Sequence, residues 1–415
     1  MSISKTLPSS NSTPPSAPEP NMQQYSTAWI LLLALLTSLG PLSIDMYLPA
    51  LPAMASEFGV STQMVANSLP AYFLGLALGQ LIYGPLSDRI GRKPPLYFGL
   101  VLFSLASMLC VFAHNEWGLI AARILQALGG CVGVVIARAA IRDRLDLQTS
   151  AQAFSSMMIV MTLAPIIAPT LGAWVLRWMN WEAIFVVLTC VGIICCLCVH
   201  FFFKETLAKE RRLNLSFQQV LTLYFAILKD RDFRFPMLAG CLTGGALFCY
   251  ISGSSALMMD QYGLSETAFA YIFGANALGI MLFSTLNKKI SGKLGVLQRL
   301  KLGSMIQLSG AVILLLAGSL GYAPLALVML GLFLAVSGIG FTGPNAMALA
   351  MAKQGARAGT ASAIMGSVQF FCGLIGGVLL NFLTGSALLN MAVLMLLFIG
   401  SGMFAVFHIL QPQPD

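Results

Sequence analysis

Two ionisable side chains stand inside long apolar runs of this sequence, and both are candidates for chemistry. Asp45 lies in Ser43-Ile44-Asp45-Met46-Tyr47-Leu48-Pro49, and Arg123 opens Arg123-Ile124-Leu125-Gln126. An ionised group in hydrocarbon is costly unless it is paired, hydrated or neutralised, so such residues are functional candidates by default. A carboxyl group that is by turns buried, hydrated and set against a guanidinium changes its protonation with its surroundings, while the guanidinium stays charged. Asp45 lies about 7 residues, ~10 Å, and Arg123 about six, ~9 Å, from the outer ends of their runs, so the two share a depth at which they can pair. The chemistry such a pair offers is a proton switch: Asp45 takes a proton from one side of a barrier and releases it on the other. Tyr47, Gln126, Tyr250 and Asn276, polar or aromatic groups on such runs, are candidates for touching a substrate, with ordinary helix packing the competing reading. Metal and nucleophilic chemistry lack ingredients. His114, His200 and His408 are far apart, all nine cysteines lie within apolar runs, and the Cys195-x-x-Cys198 pair has no second pair or histidine cluster beside it. No metal and no cofactor is expected.

The elements that must position these groups follow from composition. Of 415 residues, 58% are hydrophobic and 9% charged, and mean hydropathy is +0.84. Ordinary globular chains are roughly a quarter charged, so a water-soluble fold is excluded. Twelve apolar runs of about twenty residues, each long enough to cross a ~30 Å hydrocarbon layer, are expected near 28–49, 65–86, 95–113, 117–138, 152–175, 183–203, 237–258, 267–286, 300–319, 323–343, 359–383 and 388–409. Counted between these spans, 21 of the 23 Lys and Arg fall on one side, Arg177 alone falls on the other, and Arg123 is left within a span. That bias predicts cytoplasmic termini. The net charge of +8 therefore reports orientation and contact with anionic membrane lipid, and no nucleic acid partner is expected, because the cations are not gathered on one solvated patch.

The expected fold class is an all-α integral membrane protein, twelve transmembrane helices in two six-helix pseudo-repeats. Residues 1–27 read as a disordered cytoplasmic tail, 28–203 as the first half, 204–236 as a cytoplasmic linker and 237–410 as the second half. An offset of 204 positions aligns Gly59, Ser61, Gly75 and Gly91 with Gly263, Ser265, Gly279 and Gly295, and Arg89 with Lys293. Same-direction repeats of this kind build one large class of transporters.

The loop Gly84-Pro85-Leu86-Ser87-Asp88-Arg89-Ile90-Gly91-Arg92-Lys93-Pro94 resembles the signature loop of the major facilitator superfamily. Arg123-Ile124-Leu125-Gln126 is similar to its span-four arginine motif. Ala164-Pro165-Ile166-Ile167-Ala168-Pro169-Thr170-Leu171-Gly172-Ala173 is similar to its proton-antiporter motif, with Ala in place of Gly at 164, 168 and 173. Asp45-Met46-Tyr47-Leu48-Pro49-Ala50-Leu51-Pro52, Tyr250-Ile251-Ser252-Gly253-Ser254, Phe273-Gly274-Ala275-Asn276-Ala277-Leu278-Gly279 and Gly343-Pro344-Asn345-Ala346 resemble the bicyclomycin-resistance (Bcr/CflA) branch of drug:proton antiporters. The resemblance covers about residues 28 to 410. It implies alternating access in a bacterial inner membrane by a monomer. The implied partners are a small amphipathic drug, bicyclomycin- or chloramphenicol-like, exported in exchange for protons. It implies that Asp45 and Arg123 are the coupling pair, that Gly84, Asp88, Arg89, Gly91 and Arg92 form the cytoplasmic gate, and that Pro165, Pro169 and Gly172 form a hinge. In the second half Gly292 stands where Asp88 would map, so a gate role for Asp88 is one-sided.

Other classes fit less well. There is no G-x-x-x-x-G-K-[ST] for an ATP-driven pump, and no convergent set of nucleophile, base or metal ligands for an enzyme. A proton-coupled symporter, or an exporter of a small metabolite, on the same fold is the remaining alternative.

Overall fold

Lipid offers backbone N–H and C=O groups no partner, so an apolar chain crossing it must satisfy them internally, and the helix does this within one segment. The structure, a computed structural model, describes residues 27–145, 163–212, 216–320, 323–354, 357–383 and 385–409, and among them every regular element is helical. Among the described residues, twelve apolar helices form the body: α1 (Ala28–Phe58), α2 (Thr62–Ile90), α3 (Lys93–Val111), α4 (Glu116–Arg144), α5 (Leu163–Leu176), α6 (Glu182–Phe202), α7 (Arg231–Gln261), α8 (Glu266–Lys289), α9 (Val296–Ser319), α10 (Leu325–Met351), α11 (Ala358–Leu380) and α12 (Ala387–Phe407). Over the described residues, which for α5 begin only at Leu163, the other eleven are long and apolar enough to cross a membrane. The expected start of span five at residue 152, like the amino-terminal tail up to residue 26, lies outside the described residues.

Two departures from the expected spans matter for the site. The first run does not end near residue 49. Its regular helix stops at Asp45, where Pro49 and Pro52 intervene, and the chain continues through a 3-10 turn at Leu48–Ala50 and a helix at Leu51–Phe58. Proline lacks the N–H an α-helix interior needs and disfavours α geometry in the residue before it. Asp45 therefore sits at a break in mid-helix, deeper than an end position. The linker also contains more structure than expected. An amphipathic helix spans Phe217–Lys229, opened by a Ser216/Gln219 capping box, and α7 begins at Arg231, six residues before the expected start, because Asp230 caps it.

Within the first six helices, α2 and α3 pack on α4, α3 on α6, and α1 on α4 and α6. Within the last six, α7 packs on α10, α11 and α12, α9 on α10 and α12, and α8 on α10. Between the two groups runs a long seam of α2 against α11, and the break in α1 touches α8. The 204-residue repeat is visible in backbone geometry. Gly59 and Gly263 both end a helical turn in the left-handed region, at φ of 69° and 66°. Two residues on, Ser61 and Ser265 both cap the next helix, accepting from Met64 N at 3.2 Å and Ala268 N at 3.3 Å. Gly75 and Gly279 both sit where a Cβ would strike the neighbouring helix.

Candidate functional site

Among the described residues, the only buried charged side chains are Asp45, Arg92 and Arg123. They define two places, one deep among the helices and one at the loop between α2 and α3.

Arg123 projects from α4 and has no exposed surface. Its guanidinium carbon lies 4.2 Å from the ring centre of Tyr72 and 4.3 Å from that of Tyr47, with Phe185 at 5.9 Å. Nη1 donates to Gln126 Oε1, one turn along α4 on the same face. Gln126 Nε2 donates to Ser107 Oγ at 2.7 Å, which donates to Phe103 O at 2.7 Å. The Tyr47 hydroxyl is within 2.9 Å of Ser68 Oγ, which itself donates to Val65 O. Nε and Nη2 of Arg123 have no hydrogen-bond partner. The cation is thus held by aromatic faces and one amide.

Asp45 does not complete that arrangement. It makes no ion pair with Arg123 in this conformation, and its Oδ1 has no hydrogen-bond partner. Tyr250 of α7 accepts a 2.9 Å hydrogen bond from Asn276 Nδ2 of α8 and stacks on Phe273, ring centres 5.2 Å apart. The structure therefore sorts the expected substrate contacts into two sets. Tyr47 and Gln126 belong to the shell of Arg123, whereas Tyr250 and Asn276 form one pair on the opposite group of helices. Unpartnered buried polar atoms occur on both sides, including Asp45 Oδ1 in one group and Ser252 Oγ and Asn276 Oδ1 in the other. The α5 helix bears directly on this region: Gly172 abuts the Met46 carbonyl, next to Asp45, closely enough that a Cβ would collide with it. Pro169 is buried and Pro165 half-buried in the same helix.

At the basic face, Arg92 ties three segments together. Nη1 donates to Asp88 Oδ1 at 2.6 Å and to Ser87 Oγ at 2.7 Å, while Nε and Nη2 grip Asp143 at the end of α4 at 2.8 and 3.2 Å. Glu205, beyond α6, receives the backbone N–H groups of Arg92 at 2.9 Å and Lys93 at 3.1 Å, and so caps the start of α3. The N–H groups of Thr206 and Leu207 also donate to it, and Thr206 Oγ1 donates to Asp143. Burial disfavours the Glu205 charge, but the four N–H donors outweigh it and hold the carboxyl below the ordinary glutamate value. Burial likewise opposes the Arg92 charge, and its bonds to Asp143 and Asp88 overcome this and raise its pKa. Gly91 adopts φ 101°, a region closed to side chains without strain, and a Cβ there would meet Glu205 and Arg212. Gly84 supplies the carbonyl that Ser87 Oγ reaches. Arg89 is exposed and stands outside the network. In the second half the corresponding turn has an uncharged acceptor in place of the carboxylates: Arg299 Nη1 and Asn345 Nδ2 both donate to Asn287 Oδ1, at 3.1 and 2.9 Å.

The profile of the Major Facilitator Superfamily matches residues 33–377. The chain belongs to that superfamily. Its relatives include the bicyclomycin resistance protein homolog of Haemophilus influenzae, 31% identical over 361 residues, 86% of this chain and 90% of that one. The uncharacterized MFS-type transporter YdgK of Bacillus subtilis is 36% identical over 351 residues, covering 84% and 87% of the two chains. The chloramphenicol resistance protein of Pseudomonas aeruginosa is 31% identical over 367 residues, covering 86% and 83%. Among solved structures, the human organic anion transporter MFSD10 superposes with a TM-score of 0.69 at 16% identity, over 92% of this chain and 99% of that one, which speaks to fold alone. As a facilitator-superfamily protein the chain is a multi-pass membrane protein, and its buried polar groups lie within a transport fold. Sequence reading missed Ser107, Tyr72 and Phe185 around Arg123, and Asp143, Glu205 and Thr206 around Arg92. Asp143 and Glu205 left a signal, since both are acids among the cations of the basic face.

Proposed function

We propose that this protein exports small amphipathic drugs, of the kind named in its relatives, in exchange for protons by alternating access across a bacterial inner membrane, with both termini cytoplasmic. The observation that carries this reading is the separation of the two deep charges. Arg123 is held among Tyr47, Tyr72 and Gln126 with two nitrogens unpaired, and Asp45 stands apart at the break in α1 with a free carboxyl oxygen. A carboxyl group so placed holds a proton until its surroundings change. A shift of α1 against α4 that brings Asp45 to the free Nε and Nη2 of Arg123 favours the carboxylate and expels the proton. Gly172, packed on the Met46 carbonyl, makes α5 the lever that moves with this step, with Pro165 and Pro169 breaking its hydrogen-bond ladder. At the other end, Asp88, Gly91 and Arg92 act as the cytoplasmic gate. Orientation follows from the 21 cations on one face against Arg177 on the other.

The test uses inverted membrane vesicles carrying an imposed ΔpH. Chloramphenicol or bicyclomycin should collapse the gradient in vesicles with the wild type, and Asp45→Asn should remove the response while the protein reaches the membrane at normal level. Uphill export by Asp45→Asn at the wild-type rate would falsify the coupling role of Asp45.

A further inference from the structure

Phe73 of α2, Phe248 of α7 and Phe370 of α11 meet where the first six helices face the last six. The ring centres of Phe73 and Phe248 are 4.6 Å apart at 62°, those of Phe248 and Phe370 are 5.6 Å apart, and those of Phe73 and Phe370 are 6.4 Å apart at 21°. Gly373 of α11 supports the cluster, and a Cβ on it would come to 2.8 Å from Phe248 and 3.0 Å from Phe73. On one side along the seam, Pro70 seats on Gly377; on the other, Ser367 Oγ donates to Ala77 O at 2.8 Å. The three rings therefore occupy the middle of the α2–α11 seam.

The flanking contacts, a proline on a glycine and a hydroxyl on a carbonyl, are what a seam needs in order to close and part. The rings do something those contacts do not. Alternating access separates α2 from α11, and each ring then loses its aromatic neighbours across the seam and turns a face or an edge to the space that opens. Aromatic groups prefer edge-to-face or offset partners at these separations, beyond what buried area alone provides. A flat ring entering that space restores the lost contacts, whereas an aliphatic body of equal size restores only area. No charged side chain takes part in the cluster, so it selects for shape and π-character rather than for charge.

We propose that Phe73, Phe248 and Phe370 form a specificity-determining surface that selects, among exported molecules, those bearing a flat aromatic ring. The proposal rests on the efflux reading given above. Its test measures the chloramphenicol concentration that half-collapses ΔpH in inverted vesicles, chloramphenicol carrying a nitrophenyl ring, beside the same measurement with bicyclomycin, which has no aromatic ring. Each of Phe73→Leu, Phe248→Leu and Phe370→Leu should raise the half-saturating chloramphenicol concentration about three- to tenfold. The maximal rate should change little, any bicyclomycin response should stay within twofold of wild type, and the corresponding Tyr variants should retain wild-type values. Where a Leu variant fails to reach the membrane, Phe73→Trp serves instead, and chloramphenicol should quench its emission. Unchanged chloramphenicol dependence in the Leu variants, equal shifts for both drugs, an unquenched Phe73→Trp, or a wild type that answers bicyclomycin alone would overturn the proposal. A wild type that answers neither drug would overturn the efflux reading itself.

Discussion

Arg123 is buried among helices with the faces of two tyrosine rings against its guanidinium. A desolvated cation–π contact is worth about 2 kcal/mol, and two of them with an in-plane amide bond let a guanidinium remain buried with two nitrogens to spare. Lysine has neither the flat face nor the fork. Arg123→Lys should therefore cut drug-driven ΔpH collapse at least about tenfold, the equivalent of ~1.4 kcal/mol, without loss of membrane insertion. Tyr72→Phe, which keeps the face, should stay near wild type, and Tyr72→Leu should follow Arg123→Lys. Transport rates in vesicles, normalised to protein level, check all three. Asp45 and Arg123 were legible in the sequence because a charge inside an apolar run is conspicuous. Tyr72, Phe185 and Ser107 were not, since aromatic and small hydroxyl residues are ordinary filler in such runs. Only the packing of α2 and α3 on α4, with α6 lying against α3 and α1, gives them a role. That Asp45 stands apart from Arg123 was equally hidden, because shared depth says nothing about which way α1 turns at its break.

At the scale of elements, the loop between α2 and α3 is organised from outside itself. Glu205 caps α3 from beyond α6, and Asp143 reaches Arg92 from the end of α4. Hydrogen bonds to a charged acceptor are worth about 1.5–3 kcal/mol each when removed, so Glu205→Gln should speed hydrogen exchange of the Arg92 and Lys93 amides by about tenfold or more. The pH dependence has a definite sign. A carboxyl group whose pKa is lowered in the folded protein contributes fully above the ordinary glutamate value of roughly 4.3 and loses its contribution as pH falls through the lowered value. Protection of the two amides should thus be flat from pH 8 to 5 and fail only in stronger acid. The eleven-residue loop was recognisable from its string of residues, but its anchors lie 51 and 113 positions away in sequence. The helix Phe217–Lys229 was legible and overlooked. Ser216 and Gln219 make a capping box, and Val220, Tyr224 and Ile227 recur at helical spacing, with Ile227 fully buried and the Tyr224 hydroxyl donating to Leu81 O of α2 at 3.0 Å.

For the whole molecule, span number and the duplicated plan came from hydropathy and from the 204-residue offset, and Gly59, Gly263, Ser61 and Ser265 repeat that plan in backbone geometry. The conformation was out of reach, because pattern alone fixes which residues are apolar and leaves open which helices meet across the middle. In this structure α2 and α11 are closed on each other, with Ser367 bonded to the Ala77 carbonyl. In a variant stripped of its nine native cysteines, a short crosslinker between Ala77→Cys and Ser367→Cys should arrest transport, and reductive release should restore it; undiminished transport by the linked protein would show that this seam never parts. The position of Glu205 also decides how the chain can be divided. Although Glu205 lies in the connection between the two groups of helices, its bonds bind it to the first. Two separately encoded fragments should reassemble into a working transporter when the cut falls after Arg212, and should fail when it falls after Phe203, because the second cut hands the cap of α3 to the wrong piece.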